Sequence, residues 1–127
     1  MAKRTIVFID DEKINLLAFR AQFRREYHVH CTSDPAEFLT IIRSESVHCV
    51  FSDQRMPGTT GTELLTRARE LHPLLRAAII SGYPEDAAIQ TAFRSGTVDA
   101  VFEKPYTTQE ITEFIEAHPG NSPNAPE

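Results

Sequence analysis

The sequence predicts an α/β fold, one parallel β-sheet with helices on both faces. Two observations carry that prediction. Short β-branched, apolar runs alternate with amphipathic stretches five times along the chain, the order of βα units joined by right-handed crossovers. The first, third and fourth of those runs are almost wholly apolar, as strands covered on both faces must be.

The elements follow in order. Thr5–Ile9 is the first expected strand, and the helix after it carries Leu16, Phe19 and Phe23 on one stripe. Tyr27–Cys31 is the second strand. Asp34-Pro35-Ala36-Glu37 then supplies an N-cap, a proline at the first helical position and a capping-box glutamate ahead of Phe38, Leu39 and Ile42. Val47–Ser52 is the third strand. Thr60-Gly61-Thr62-Glu63 opens the next helix, with Leu64, Leu65, Ala68 and Leu71 behind it. After the fourth strand, Ala77–Ile80, Pro84-Glu85-Asp86 puts a proline and two acids in a helix's positive first turn. Ala100–Phe102 is the fifth strand, and Thr107-Thr108-Gln109-Glu110 begins the last helix, whose apolar residues are Ile111, Phe114 and Ile115. From Pro119 the apolar periodicity stops. Residues 1–118 are expected to form one domain and 119–127 a flexible tail.

Bulk properties narrow the function. A chain of 127 residues, 41% hydrophobic and 24% charged, has the length for one core. A net charge of −5 argues against direct nucleic-acid binding, which needs clustered Lys and Arg. Arg24-Arg25, the densest basic pair, has acidic neighbours and reads as a solvated face. Cys31 and Cys49 lie in strands with no short-spaced Cys/His cluster, so reduced, buried thiols are expected rather than a zinc site. Met1-Ala2-Lys3-Arg4 reads as an intact amino terminus. The apolar run behind it is too short for a signal-peptide core or a membrane span. A cytoplasmic protein is expected.

In an open parallel sheet, ligands bind beyond the carboxyl ends of the strands. The first strand ends in Asp10-Asp11-Glu12, the third in Asp53 and the fourth in Ser81-Gly82; the fifth leads to Lys104-Pro105. Adjacent carboxylates repel, so a cation is needed to hold Asp10, Asp11 and Asp53 together. Oxygen-only ligands suit Mg2+, and a divalent ion beside a carboxylate and a lysine is equipment for phosphoryl transfer. Taken singly, each residue has a plainer reading. Asp10 or Asp11 could cap a helix, Asp53 could open the turn at Met56-Pro57-Gly58, Ser81-Gly82 could be loop and Lys104 surface. Four strand ends presenting one chemistry at one edge favour a site.

Ile9-Asp10-Asp11-Glu12, Ser52-Asp53-Gln54-Arg55-Met56-Pro57-Gly58, Ile80-Ser81-Gly82 and Glu103-Lys104-Pro105 together resemble the signature of two-component response-regulator receiver domains, over about Arg4 to His118. The resemblance implies the flavodoxin-like doubly wound (βα)5 sheet of order 2-1-3-4-5, for which a chemotaxis receiver is the standard example. It implies that Asp53 accepts a phosphoryl group from a sensor histidine kinase, a phosphotransfer protein or a small acyl phosphate. Mg2+ would be held by Asp11, Asp53 and the backbone carbonyl of Arg55, with Asp10 acting through a water. Lys104 and Ser81 would contact the phosphoryl group, and Lys104-Pro105 would be cis. The face made by the fourth helix, fifth strand and fifth helix would signal to a protein target, from a monomer or a weak phosphorylation-dependent dimer.

One position departs from the pattern. Receivers usually carry Tyr or Phe three residues before the lysine, where this chain has Val101 followed by Phe102. A valine has little χ1 freedom and cannot swing as an aromatic does; Tyr83 or Tyr106 could stand in for it. Arg55, two residues past Asp53, is expected to reach over the site and affect the lifetime of the phosphorylated state. Val101 gives some support to a phosphorylation-independent interaction module on the same fold. An Asp-nucleophile hydrolase would want an acid where Arg55 stands, and a dinucleotide binder a glycine-rich loop after the first strand.

Overall fold

The computed structural model describes residues 3–117; the expected tail, 119–127, lies outside them. The elements run β1 (Thr5–Ile9), α1 (Lys13–Phe23), β2 (His28–Thr32), α2 (Pro35–Ser44), β3 (Cys49–Asp53), β4 (Arg55–Met56), β5 (Thr59–Thr60), α3 (Gly61–Leu71), β6 (Arg76–Ser81), α4 (Ala87–Ser95), β7 (Ala100–Glu103) and α5 (Thr108–Glu116). Five strands pair in parallel in the order β2-β1-β3-β6-β7. With the two-residue hairpin β4–β5 set aside, this is the flavodoxin-like order 2-1-3-4-5.

Alternation along the strands divides the core in two. Val7, Ile9, Val50, Ala77 and Ile79 face one way and pack with Phe38, Leu64, Leu65, Ile89 and their neighbours from α2, α3 and α4. Ile6, Phe8, Phe51, Ala78 and Ile80 face the other way and meet Phe19 and Phe23 of α1 and Ile111, Phe114 and Ile115 of α5. Ring contacts run through the second layer, with Phe8 stacked on Phe19 at 4.4 Å and Phe19 against Phe51 at 5.5 Å.

Several expected boundaries shift. β2 and β3 begin later than expected, and β6 and β7 run one residue further at their carboxyl ends. The hairpin β4–β5 was not expected. Asp34 caps α2 by accepting from the Ala36 N–H, but Glu37 does not close a capping box. The Asp34 N–H already donates to Thr32 Oγ1, and Thr32 in turn donates to Glu37. α4 starts at Ala87, not at Pro84. Asp86 is its N-cap, and an Asp86 N–H to Tyr83 carbonyl bond closes a turn before it, leaving no acid in the helix's first turn. The capping boxes of α3 and α5 form as the spacing requires. Cys31 and Cys49 are free thiols whose burial pushes them up to about 11 and about 12.

Candidate functional site

Strand register assembles the site. Ile9 pairs with Ser52, so Asp10 and Asp53 emerge side by side. Asp53 pairs with Ile80 and Ser81 with Glu103, so Ser81 and Lys104 follow at the same edge. The Lys104 N–H donates to the Ser81 carbonyl at 2.9 Å, extending the ladder one step into the site.

The acids converge. Asp10, Asp11 and Asp53 each offer a carboxylate oxygen, all within 4.8 Å of one another. Asp10 is fully buried and Asp53 half-buried, while Asp11 is exposed. Lys104 Nζ lies 3.1 Å from Asp53 Oδ1 and 3.7 Å from Asp10 Oδ2, and the Lys104-Pro105 bond is cis. Burial raises the Asp53 carboxyl from its ordinary value and the Asp10 charge adds to this, with Lys104 pulling the other way. Three hard oxygen donors within 4.8 Å of one another, only two of them against the Lys104 ammonium, fit a small divalent cation such as Mg2+.

Other residues hold this arrangement in place. Asp10 does not cap α1; its carboxylate accepts from the Glu12 N–H at 2.9 Å and from Asn15 Nδ2 at 3.0 Å. Gln54 is buried, its side chain accepting from the Thr62 N–H at 2.9 Å and donating to Thr62 Oγ1 at 3.2 Å. Its carbonyl takes the Gly61 N–H at 2.9 Å, so the turn after Asp53 is tied to the start of α3. A Cβ on Gly61 would stand 2.3 Å from the Asp53 carbonyl oxygen. Only glycine permits that approach. Sequence reasoning gave Asn15, Gln54 and Gly61 no role at the site. Their one signal is closeness in the chain to the acids and to a helix start.

Ser81 is buried, and its Oγ accepts from the Tyr83 N–H at 2.9 Å. Arg55 is largely exposed and reaches sideways across the strand ends. Its guanidinium lies 4.1 Å from the Tyr83 ring centre and 3.9 Å from Asp86 Oδ2. Val101 packs against the α2–α3–α4 core layer, and Phe102 meets Phe114 in the other layer at 5.7 Å. Tyr106 turns toward α1, its ring against Phe19 and its hydroxyl donating to Gln22 at 3.1 Å. A cavity of about 440 Å3 beside the acids is lined by Asp10, Asn15, Lys104, Tyr106 and apolar residues including Phe8 and Pro105.

The family model described as "Response regulator receiver domain" matches residues 6–116. The chain belongs to this family. It is 32% identical to the hydrogenase transcriptional regulatory protein HoxA of Bradyrhizobium diazoefficiens, over 87% of this chain and 23% of that protein. It is also 32% identical to the transcriptional regulatory protein FixJ of the same organism, over 91% of this chain and 56% of that one. The receiver therefore spans about a quarter to just over half the length of these relatives. Among solved structures, a CheY-like receiver from Methanospirillum hungatei superposes with a TM-score of 0.83 at 25% identity, covering 91% of this chain and 93% of that one. Full-length FixJ from B. japonicum superposes with a TM-score of 0.84 at 27% identity, over 97% and 61%. Receivers are signalling modules of two-component systems. No described helix is long and apolar enough to cross a membrane.

Proposed function

We propose that Asp53 accepts a phosphoryl group from a sensor histidine kinase, a phosphotransfer protein or a small acyl phosphate, and that the receiver then signals by changing shape. The observation supporting this is the gathering of three carboxylates within 4.8 Å, with the Lys104 ammonium 3.1 Å from Asp53. Asp11, Asp53 and the Arg55 carbonyl would hold Mg2+, with Asp10 acting through a water. When bound, the ion neutralises charge on the phosphoryl oxygens.

The chain's own residues do the rest. A carboxylate oxygen of Asp53 attacks phosphorus. The bond from phosphorus to the donor's nitrogen or oxygen breaks, and the leaving group departs with that electron pair. Lys104 moves its charge from Asp53 to a phosphoryl oxygen, and Ser81 donates its hydroxyl to another. Asp10 keeps its orientation through Glu12 and Asn15.

The product carries about −1.5 to −2 added charges at one strand end. Drawing Ser81 and Lys104 toward it biases the loops before α4 and α5, and the α4–β7–α5 face then presents a different surface to a protein target. In this reading the receiver covers 1–118, acts in the cytoplasm as a monomer or weak phosphorylation-dependent dimer, contacts no nucleic acid directly, and catalyses only its own phosphorylation and dephosphorylation. Acetyl phosphate with Mg2+ should label the wild-type protein and leave Asp53→Asn unlabelled. Equal labelling of a folded Asp53→Asn variant would remove the proposal.

A further inference from the structure

The carboxyl edge holds one link that the phosphoacceptor chemistry does not use, and it joins the loop after Asp53 to the loop after Ser81. Arg55 sits on the short hairpin β4–β5, where Arg55 pairs with Thr60 and Met56 with Thr59. Gly58 turns that hairpin at φ +84°, and Gln54 fastens its base to Thr62. The backbone that carries Arg55 is thus held at both ends. From it the guanidinium crosses to the loop between β6 and α4, covering the Tyr83 ring at 4.1 Å and facing the α4 N-cap Asp86 at 3.9 Å. A cation over an aromatic face is attracted by the ring quadrupole.

The same Tyr83 governs Ser81 through its main chain. Its N–H donates to Ser81 Oγ at 2.9 Å. That bond occupies a lone pair of the hydroxyl and leaves the hydroxyl proton free to donate elsewhere. No aromatic stands three residues before Lys104 on β7: position 101 is a valine, and it packs into the core layer beneath α4. Tyr106 is committed to α1 through Phe19 and Gln22. Tyr83 is therefore the tyrosine tied to the Ser81 hydroxyl.

We propose that Arg55 and Tyr83 act as a positioning pair for Ser81. The stack holds the Tyr83 main chain, the Tyr83 N–H holds the hydroxyl oxygen, and the hydroxyl proton is thereby kept ready for an oxygen of a group on Asp53. This rests on the phosphoacceptor reading above, which it deepens. Loosening the pair adds the ordering of Ser81 to what binding must offset.

The test uses beryllium fluoride with Mg2+ as the phosphoryl mimic, titrated by NMR, and amide exchange of Tyr83 in the free protein. Tyr83→Leu and Arg55→Ala should each weaken beryllium fluoride binding about two- to fivefold, the factor equivalent to one exposed cation–π contact. Combined in one protein, the two substitutions should be non-additive. Tyr83→Phe keeps the ring and should restore wild-type affinity. In a Ser81→Ala background the same substitutions should have no further effect. Exchange of the Tyr83 amide should quicken in Arg55→Ala. Tyr83 and Arg55 are exposed enough for these variants to fold, and circular dichroism checks that they do. Undiminished affinity in Tyr83→Leu, a loss in Tyr83→Phe equal to that in Tyr83→Leu, or an unchanged effect in Ser81→Ala overturns the pairing. Wild-type protein that binds no beryllium fluoride overturns the phosphoacceptor reading itself, while the amide-exchange arm still reports on the Arg55–Tyr83 contact alone.

Discussion

Asn15 sits in the first turn of α1, and its amide donates both to Asp10 at 3.0 Å and to Glu12 Oε1 at 3.2 Å. A carboxylate that holds a metal-bound water, as proposed for Asp10, depends on such outer partners for its orientation. Asn15→Ala should therefore weaken Mg2+ affinity by about ten- to a hundredfold, read by isothermal titration. Unaltered affinity would show that Asp10 is oriented without it. In the proposed transfer Lys104 acts directly. Lys104→Ala removes the ammonium shared by Asp53 and Asp10, and phosphorylation by acetyl phosphate should slow by about a hundredfold or more, the usual effect of deleting one preorganised donor. Arg55→Ala should shorten the lifetime of the phosphorylated state, because its guanidinium covers the strand ends; an unchanged dephosphorylation rate removes that idea. The acids, Ser81 and Lys104 were legible because each ends or follows an apolar strand. Asn15 was not. A single Asn in a helix carries no pattern, and its partner Asp10 is found only once the chain turns into α1.

At the scale of elements, the start of α3 carries the most information. Thr60 accepts from the Glu63 N–H and Glu63 accepts from the Thr60 N–H, which closes the capping box. Thr60→Ala should cost about 1 kcal/mol of stability by urea denaturation. Gly61→Ala should cost about 1–3 kcal/mol, the range for overpacking, because the new methyl meets backbone 2.3 Å away at the Asp53 carbonyl. It should also slow phosphorylation, since that backbone carries Asp53. A Gly61→Ala protein as stable and as reactive as wild type would contradict the geometry. Both capping boxes could be read from spacing alone. The later start of α4 could not: Pro84 and two acids satisfy the rules for a helix opening, and only the Tyr83–Asp86 turn shows that the chain bends first. The α2 box failed for a similar reason. Thr32, in another element, had already taken the Asp34 N–H.

Across the whole molecule, the end opposite the acids fixes how α5 docks. Arg4, His48 and Arg76, from the amino ends of β1, β3 and β6, all reach the last carbonyls of α5. Arg4 and His48 meet Ile115, Arg76 meets Phe114, and Tyr27 donates to Glu116 at 2.7 Å. Burial lowers the His48 pKa, Arg4 and Arg76 add to that, and the Ile115 carbonyl and Glu116 oppose it. Protonation then favours the unfolded chain, so the contribution of His48 is present above the ordinary histidine value of about 6.5 and is lost as pH falls below it. His48→Gln can keep a donor to Ile115 without titrating. Its melting temperature should fall less steeply than that of wild type between about pH 6.5 and 5; parallel curves would exclude the effect. The sheet was legible at this scale because parallel strands buried on both faces announce themselves as apolar runs. Its strand order came from the family resemblance and not from periodicity. The clamp on α5 was hidden, since each of its members reads alone as an ordinary surface residue.

Asp53 is proposed as the side chain that takes the phosphoryl group. This is tested most directly by treating the Mg2+-supplemented protein with acetyl phosphate, reducing the product with borohydride and mapping the peptides by mass spectrometry. Homoserine is expected at position 53 and at no other aspartate. Reduction at Asp10 or Asp11, or phosphate recovered only on a residue that borohydride does not reduce, would contradict it.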